Sequence, residues 1–224
     1  MMLITLIIIY PKKIAQVNGM SLLDKKLVIL TFDDGPSKNL TSKLLDGLKI
    51  RGIHVTFFIL GNKALEYPEL VKRAYLEGHT IGIHSYNHEI LTNKDTSDAI
   101  EEIEITKEII EDITKEAPKY LRPPYGIYSD ELLEAIDMPF IIWNIDTKDW
   151  RRQSSNRIKD KIIRGSEEGN IILLHDVYKW TIDGTFKAID DLLRIGYAFV
   201  SIDEYIVIRE YKIEDNRVYF SFSD

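Results

Sequence analysis

Two aspartates stand side by side in the segment TFDDGPS, directly after the apolar run LVILTF (27–32). Such a run predicts a buried strand, and the Gly-Pro pair behind the aspartates predicts a turn. In parallel α/β proteins, reactive groups gather at the carboxyl ends of strands, because the loops that follow the strands meet on one face. Asp33 and Asp34 are therefore candidate catalytic or metal-binding groups. Because neighbouring strand side chains point in opposite directions, we expect the two to have different partners.

Two histidines in the segment HSYNH could complete a metal site. His84 and His88 are four residues apart, a spacing that places both imidazoles on one side of a helical turn. Two histidines and a carboxylate from another strand end make the three-ligand set of a catalytic zinc site. The chain has no cysteine, so a metal must be held by His, Asp or Glu. Further candidate groups at predicted strand ends are Arg122, Asp146, His175 and Asp176.

The elements that position these groups alternate along the chain. Short runs rich in Val, Ile and Phe are separated by segments of helical periodicity, which predicts βα units around a parallel sheet. The predicted strands are residues 27–32, 54–60, 80–85, 119–124, 139–146, 170–176 and 197–202. Seven strands with intervening helices favour a barrel-like or doubly wound single domain. His54 and His79 lie at strand starts, on the opposite face, so we interpret them as structural.

The two ends of the chain carry weaker signals. The apolar run Leu3–Tyr10 is shorter than the roughly 20 residues that a membrane-spanning helix requires. It is either an edge strand or packed arm, or an export signal or anchor. An export signal would be degenerate, because no basic residue precedes the apolar run. The last 20 residues alternate apolar and polar side chains around the polar segment EDN, which predicts a terminal hairpin.

Composition narrows the classes of partner. The chain has 224 residues, 45% of them hydrophobic, which is enough for one substantial core. Its 29 basic and 36 acidic residues give a formal charge of -7, which disfavours binding to nucleic acid and to anionic membrane surfaces.

Five motifs in order resemble those of one family. They are TFDDGPS, HSYNH, RPPYG (122–126), DTKDW (146–150) and LLH (173–175). Over residues 26–205 the chain is similar to polysaccharide deacetylases with NodB homology, carbohydrate esterase family 4. The resemblance implies an α/β fold, an irregular (β/α) barrel with seven or eight strands. It divides the chain into an N-terminal arm (1–25), a NodB-type domain (26–206) and a β-like C-terminal extension (207–224).

The resemblance also implies roles for individual residues. Asp34, His84 and His88 would be ligands of a divalent metal, usually Zn²⁺, with Co²⁺ and other divalent ions also open. Asp33 would be the general base and His175 the general acid.

Other residues would support these groups or contact the substrate. Arg122 would orient Asp33, and Asp149 would orient His175, with Asp146 as the alternative partner. The backbone N–H of Tyr125 would help to hold the oxyanion. Trp150 and Leu173 would form the apolar wall against the acetyl methyl group. Trp143, inside a predicted strand, is interpreted as core, and Trp180 as a candidate sugar subsite.

The implied function is metal-dependent hydrolysis of the N-acetyl amide in a polysaccharide that contains N-acetylglucosamine. The polymer is either peptidoglycan or chitin-like, and the products of hydrolysis are acetate and a free amine. One alternative is a non-catalytic carbohydrate-binding module. Another is a barrel relative that hydrolyses a different linear amide or a formamide. The expected partner is an N-acetylated glycan, with no nucleic acid and no obligate protein partner. Such substrates favour a location of the protein in the cell envelope or the extracellular space, with the cytoplasm as the alternative.

Overall fold

A parallel sheet lies at the centre of the computed structural model, which describes residues 16–17 and 20–223. The strands are β1 (Gln16–Val17), β2 (Met20–Ser21), β3 (Leu27–Asp33), β4 (Thr56–Ile59), β5 (Thr80–Ile83), β6 (Phe140–Ile141), β7 (Ile145–Asp146), β8 (Ile171–His175), β9 (Ala198–Phe199) and β10 (Val218–Tyr219). The helices are α1 (Leu40–Arg51), α2 (Gly61–Glu66), α3 (Pro68–Leu76), α4 (Thr96–Thr114), α5 (Asp130–Ala135), α6 (Ser155–Gly165), α7 (Lys179–Arg194) and α8 (Ile202–Arg209). No helix of the described residues combines the length and the apolar character needed to cross a membrane.

The strands form an irregular (β/α) barrel, as the sequence predicted. The order β5-β4-β3-β8-β7 is parallel throughout, and β9 pairs with the start of β3. Isolated bridges from Ile83 to Leu121 and from Leu121 to Phe140 carry the sheet on to β6, and β10 pairs with β6. In the β3–β8 register, Asp33 stands opposite His175. The strand pairing therefore places these two candidate groups side by side.

The alternation of side chains along β3 serves two apolar clusters. Val28, Leu30 and Phe32 belong to the larger cluster, which the outer helices cover. Leu27 and Ile29 belong to the smaller cluster, together with residues of β4, β6 and β8. Because both faces of β3 are buried, packing on two sides fixes its carboxyl end. The backbone that carries Asp33 and Asp34 is therefore held in place.

Three predictions about elements were wrong. Residues 119–124 form two isolated bridges, both at Leu121, instead of a strand, and residues 139–146 split into β6 and β7. The tail forms no hairpin, because residues 202–209 are helical, and β10 pairs with β6 instead. A capping box between Ser201 and Glu204 starts α8 and overrides the strand-like composition of the segment.

The predicted domain boundary after residue 206 falls inside α8. The predictions for the apolar start concern residues 1–15, which lie outside the described residues, as do residues 18–19.

Candidate active site

The carboxylate of Asp33 is held by a buried arginine. Nη1 of Arg122 donates to Oδ1 of Asp33 at 2.7 Å, and both side chains are almost completely buried. The other hydrogen bonds of the guanidinium go to Ile141 O, Ile142 O and Thr31 Oγ1. Because these contacts fix the guanidinium in place, Arg122 sets the orientation of Asp33. The second oxygen, Oδ2, lies 3.7 Å from Nε2 of His84, and Asp33 lines the same cleft as that histidine.

Asp34 turns away from Asp33 and meets two histidines. Its backbone has φ 72°, in the left-handed region, so its side chain leaves the direction of the strand. Oδ1 of Asp34 lies 3.4 Å from Nε2 of His84 and 3.3 Å from Nε2 of His88. Both aspartates lie near His84, but Asp33 pairs with Arg122 and Asp34 with His88, so their other partners differ, as the sequence predicted.

The two histidines meet without a helical turn, contrary to the sequence prediction. Residues 86–88 form bends, and both Ser85 and His88 have φ 67°. The backbone N–H of His88 donates to Oγ of Ser85 at 3.0 Å, which closes the loop. The ring centroids of His84 and His88 lie 5.0 Å apart as a result.

These three side chains fit a divalent metal. One ligand atom from each lies within 4.8 Å of the others, and Oδ1 of Asp34 is buried without a hydrogen-bond partner among the described residues. Nδ1 of His84 lies 2.7 Å from the carbonyl oxygen of Arg122, which accepts its hydrogen and leaves the lone pair on Nε2. A buried, unpaired carboxylate oxygen facing two imidazole nitrogens is the donor set that Zn²⁺ and similar ions prefer.

The charges in this group agree with that fit. Burial raises the pKa of Asp34, but the surrounding imidazoles outweigh burial and lower the pKa to about 2. Burial lowers the pKa of His88, and the neighbouring His84 lowers it further. At neutral pH the aspartate is therefore ionised and His88 is free to offer a lone pair.

His175 stands at the end of β8 and pairs with Asp149. Its Nδ1 lies 2.7 Å from Oδ1 of Asp149, and its backbone N–H donates to Oδ2 at 2.8 Å. Burial lowers the pKa of His175, but the hydrogen bond and charge of Asp149 raise it to about 9, with smaller contributions from Asp33 and Asp34. The imidazole is therefore protonated at neutral pH. Its Nε2 atom lies 4.0 Å from Oδ2 of Asp34.

The structure decides between the two aspartates considered as partners of His175. Asp149 makes the contact, whereas Oδ1 of Asp146 accepts from the backbone N–H of Lys148 at 2.7 Å. Two further groups hold Asp149: Thr181 donates its hydroxyl to Oδ2, and Trp180 donates Nε1–H to its backbone oxygen, both at 2.7 Å.

One cleft of about 550 Å³ is bordered by the polar side chains of Asp33, Asp34, His84, His88, Asp146 and His175. The residues predicted to contact substrate lie in its wall: Tyr125 is 60% exposed, Trp150 is 46% exposed and Leu173 is buried. Tyr125, with φ 60°, packs edge-on against His88, with the two ring centroids 4.6 Å apart. Two further aromatic residues, Trp143 and Tyr178, also line the cleft.

Two tryptophans take different positions relative to the cleft. Trp143, interpreted as core, packs half-buried against the smaller apolar cluster and also borders the cleft, because β6 has ended and β7 has not yet begun at this position. Trp180 was a candidate subsite, but it is half-buried, outside the cleft wall, and stacks on Tyr178 at 5.1 Å.

Sequence reasoning missed the buried hydroxyls of Thr31 and Thr181. They lie 91 and 32 residues from the groups that they contact, Arg122 and Asp149, so no local signal could identify them. The remaining histidines lie apart from the cleft, as expected. His54 contacts Glu204 through Nδ1 at 2.7 Å, and Nδ1 of His79 accepts from the backbone of Val55.

Comparison with known families agrees with this arrangement. Residues 22–139, more than half of the chain, match the family model described as polysaccharide deacetylase. The chain belongs to this family. The matched region includes Asp33, Asp34, His84, His88 and Arg122. The contacting pair His175 and Asp149 lies beyond it in the chain.

Individual relatives support the same assignment. The chain is 37% identical to the peptidoglycan-N-acetylglucosamine deacetylase PgdA of Listeria monocytogenes over 89% of its length and 42% of that protein. It is 36% identical to the peptidoglycan-N-acetylmuramic acid deacetylase PdaC of Bacillus subtilis over 81% of its length and 39% of that protein. The chain thus spans about two fifths of the length of these relatives. A family 4 acetyl xylan esterase from Clostridium thermocellum, solved with a cobalt ion, superimposes with a TM-score of 0.83 at 30% identity, covering 88% of this chain and 98% of that one.

Proposed function

We propose that the chain hydrolyses the N-acetyl amide of a polysaccharide that contains N-acetylglucosamine, releases acetate and leaves a free amine. The observation that carries this proposal is the meeting of three groups in one cleft. A carboxylate held by Arg122, a protonated imidazole held by Asp149 and a set of metal ligands all line it. The names of the peptidoglycan deacetylases among the relatives support the class of substrate.

Asp33 is the proposed general base. A divalent cation held by Asp34, His84 and His88 would polarise the acetyl carbonyl and acidify the attacking water. Because Arg122 occupies Oδ1 of Asp33, Oδ2 is the oxygen left to take the proton from that water. The salt bridge holds the carboxylate in one orientation.

His175 is the proposed general acid. An amine leaves slowly unless it is protonated, and Nε2–H of His175 is the proton source on the β8 side of the cleft. Asp149 fixes the tautomer by accepting from Nδ1–H, so the remaining proton points toward the substrate. General acid catalysis by a positioned group is typically worth about 10²–10⁴ in rate.

The cleft wall would hold the sugar and its acetyl group. Leu173 and Trp150 offer apolar surface for the methyl group, and the rings of Trp143 and Tyr178 offer faces for sugar stacking. We assign to the backbone N–H of Tyr125 the role of an oxyanion donor, because the left-handed conformation of this residue turns its backbone at the edge of the site.

Two rival functions are weaker on this geometry. A non-catalytic carbohydrate-binding module needs neither the Asp33–Arg122 pair nor the His175–Asp149 pair, and both are complete. A relative that acts on another linear amide or formamide has less use for an open cleft with several aromatic residues in its wall. We place the protein at the cell envelope or outside the cell, where such polymers occur.

The test is release of acetate from N-acetylglucosamine oligomers and from peptidoglycan, with free amine measured in parallel. Protein stripped with a chelator should be inactive and should recover with Zn²⁺ or Co²⁺. His175→Gln should lose activity, whereas His54→Gln, a matched histidine change away from the cleft, should keep it. No acetate from any glycan in the presence of either ion would refute the proposal.

A further inference from the structure

One side of the cleft opening is unusually basic for this chain. Residues 148–161 contain six basic and two acidic residues, although the whole chain has a formal charge of -7. The basic residues are Lys148, Arg151, Arg152, Arg157, Lys159 and Lys161, and the acidic residues are Asp149 and Asp160. Asp149 is buried against His175, and Asp160 lies 3.9 Å from Lys159, so neither neutralises the other cations. We refer to Lys148, Arg151 and Arg152 as the basic rim.

The basic rim has no internal counterion. Its three side chains are exposed, and none has a carboxylate oxygen within 4.0 Å in the described part of the chain. Arg73, by contrast, contacts both Asp46 and Glu77. Burial lowers the pKa of the nearby Lys161, and the charge of Arg157 lowers it further, against the opposing charge of Asp146. Like charges are therefore crowded in this region.

The basic rim is continuous with the active-site cleft. Trp150, between Lys148 and Arg151 in sequence, forms part of the cleft wall. The guanidinium of Arg151 lies over the Trp150 ring, with Cζ 4.6 Å from the ring centroid. The backbone N–H of Arg151 donates to the carbonyl oxygen of Lys148 at 3.1 Å, so these two residues lie on one turn. A sugar stacked on Trp150 would have a guanidinium beside it.

Buried contacts hold this turn in place. Thr147 donates its hydroxyl to Leu173 O at 2.9 Å, and Lys161 donates to the carbonyl oxygen of Thr147. Asp149 is fixed by His175, and its backbone oxygen accepts from Trp180. The exposed cations are thus carried by a rigid backbone, which lowers the entropic cost of binding an anion.

We propose that the basic rim binds a carboxylate of the glycan, so that the preferred substrate is an acidic polymer of the peptidoglycan type rather than neutral chitin. The inference rests on the proposed function, because it concerns the same cleft. Oligomers of N-acetylglucosamine carry no charge, whereas peptidoglycan carries the lactyl carboxylate of its muramic acid units and the carboxylates of its stem peptides. Arginine is well suited to this role, because its planar guanidinium pairs with a carboxylate through two parallel hydrogen bonds.

The test compares two double variants with the same change of charge. Lys148→Gln/Arg151→Gln removes two rim cations. Lys72→Gln/Arg164→Gln is the control, because both residues are exposed and have no carboxylate partner among the described residues. Each protein is assayed on neutral N-acetylglucosamine oligomers, on peptidoglycan strands stripped of peptide, and on strands with stem peptides.

On acidic strands, the rim variant should lose roughly tenfold in kcat/KM, chiefly through KM, because two exposed ion pairs are removed. The loss should shrink as the salt concentration rises. On neutral oligomers the rim variant should stay within about twofold of wild type, which also shows that Trp150 has not moved. The control variant should match wild type on every substrate. Equal losses on neutral and acidic substrates, equal losses in both variants, or no loss at all would overturn the inference.

The substrate arms identify the source of the carboxylate. A loss that persists on stripped strands assigns it to the lactyl group, and a loss confined to strands with peptides assigns it to the stem peptide. If wild type releases no acetate from any glycan, the proposed function fails. Co-sedimentation of the three proteins with the acidic strands then decides the binding inference separately: weaker binding by the rim variant alone supports it, and equal binding by all three refutes it.

Discussion

The adjacent aspartates provide a sharp test of the site, because the same small substitution should have opposite consequences at the two positions. Asp33→Asn and Asp34→Asn each replace one carboxylate oxygen by an amide nitrogen with almost no change in volume. Asp33 contacts Arg122, whereas Asp34 faces His84 and His88. We expect Asp33→Asn to keep the metal and lose turnover, and Asp34→Asn to lose the metal.

The magnitude for Asp33→Asn follows from the burial of its pair. Removing one charge of a buried ion pair typically costs about 3–5 kcal/mol, because the other charge stays buried. The amide oxygen can still accept from Nη1 of Arg122, and the other hydrogen bonds of the guanidinium remain. We therefore expect the lower end, about 3 kcal/mol, out of a total stability of roughly 5–15 kcal/mol. The variant should fold, and kcat should fall by about 10²–10⁴ with the loss of the base.

Asp34→Asn should differ from Asp33→Asn chiefly in metal binding. Without metal, its free energy of unfolding at neutral pH should fall by about 2 kcal/mol, because the lowered pKa of Asp34 means that the fold favours the ionised carboxylate over the protonated one. Loss of the only charged ligand of the set should lower metal affinity by more than 100-fold, beyond the 10–100-fold typical of groups that merely support a ligand.

Three measurements separate these outcomes. Metal content after dialysis against Zn²⁺ reports binding, urea unfolding of chelated protein reports stability, and acetate release reports turnover. Asp146→Asn serves as a matched control, since this aspartate also lines the cleft but contacts neither Arg122 nor the metal ligands. The assignment would be refuted if both variants lost metal equally, or if Asp33→Asn retained turnover with metal bound.

Three further predictions concern the surroundings of the site. Asp149→Asn should lower the pKa of His175 from about 9 to below 6.5, because burial then acts with little opposition; the alkaline limb of kcat/KM should shift down accordingly, with a loss of about 30-fold at pH 8. An unchanged limb would contradict this. Trp180→Phe should lower kcat by weakening the support of Asp149 while leaving the KM for glycan oligomers within about twofold, whereas a large rise in KM would restore the subsite interpretation. Burial raises the pKa of the Asp176 carboxyl to about 7, so the stabilising contribution of its protonated form is complete below pH 4 and is lost as the pH rises toward 7. Asp176→Asn should flatten the pH dependence of the unfolding free energy across that range, measured by chemical denaturation, and an unchanged pH dependence would contradict the raised pKa.

The sequence predicted the strand ends of the site well because that information is local. An apolar run followed by polar residues marks the end of a buried strand, and this pattern placed Asp33, His84 and His175 correctly. The partners of these groups were less accessible. Thr31 and Thr181 are ordinary buried hydroxyls in sequence, and only the fold brings them to Arg122 and Asp149.

The errors in the fold have physical causes of the same kind. The segment YIVIR (205–209) is rich in β-branched residues and suggested a strand. It is helical because Ser201 and Glu204 cap its start and because Ile202, Tyr205 and Ile208 bury one face. Tertiary packing outweighs the weak preference of β-branched residues against helix.

The metal-ligand loop shows why the correct residues were identified by an incorrect geometry. A four-residue spacing brings two histidines together on a helix, but here left-handed conformations at Ser85 and His88 do so. Such conformations at non-glycine residues cost on the order of 1 kcal/mol each, so the surroundings must hold them. Gly61 N–H donates to Ser85 O at 3.0 Å, and Tyr86 N–H donates to the carboxylate of Glu102 at 2.9 Å.

This clamping explains how one cleft can contain so many unfavourable features. Asp34 and Tyr125 also have left-handed backbones, and an ionised carboxylate oxygen is buried without a hydrogen bond. The left-handed conformations cost stability, whereas the imidazoles around Asp34 more than offset the burial of its charge. Each loop lies next to a fixed element: Asp34 follows β3, which is buried on both faces, and Tyr125 follows the segment anchored by Arg122. The strain is thus confined to short loops between fixed elements. The protein's own contacts at Ser85, Tyr86 and Arg122 therefore position the candidate ligands.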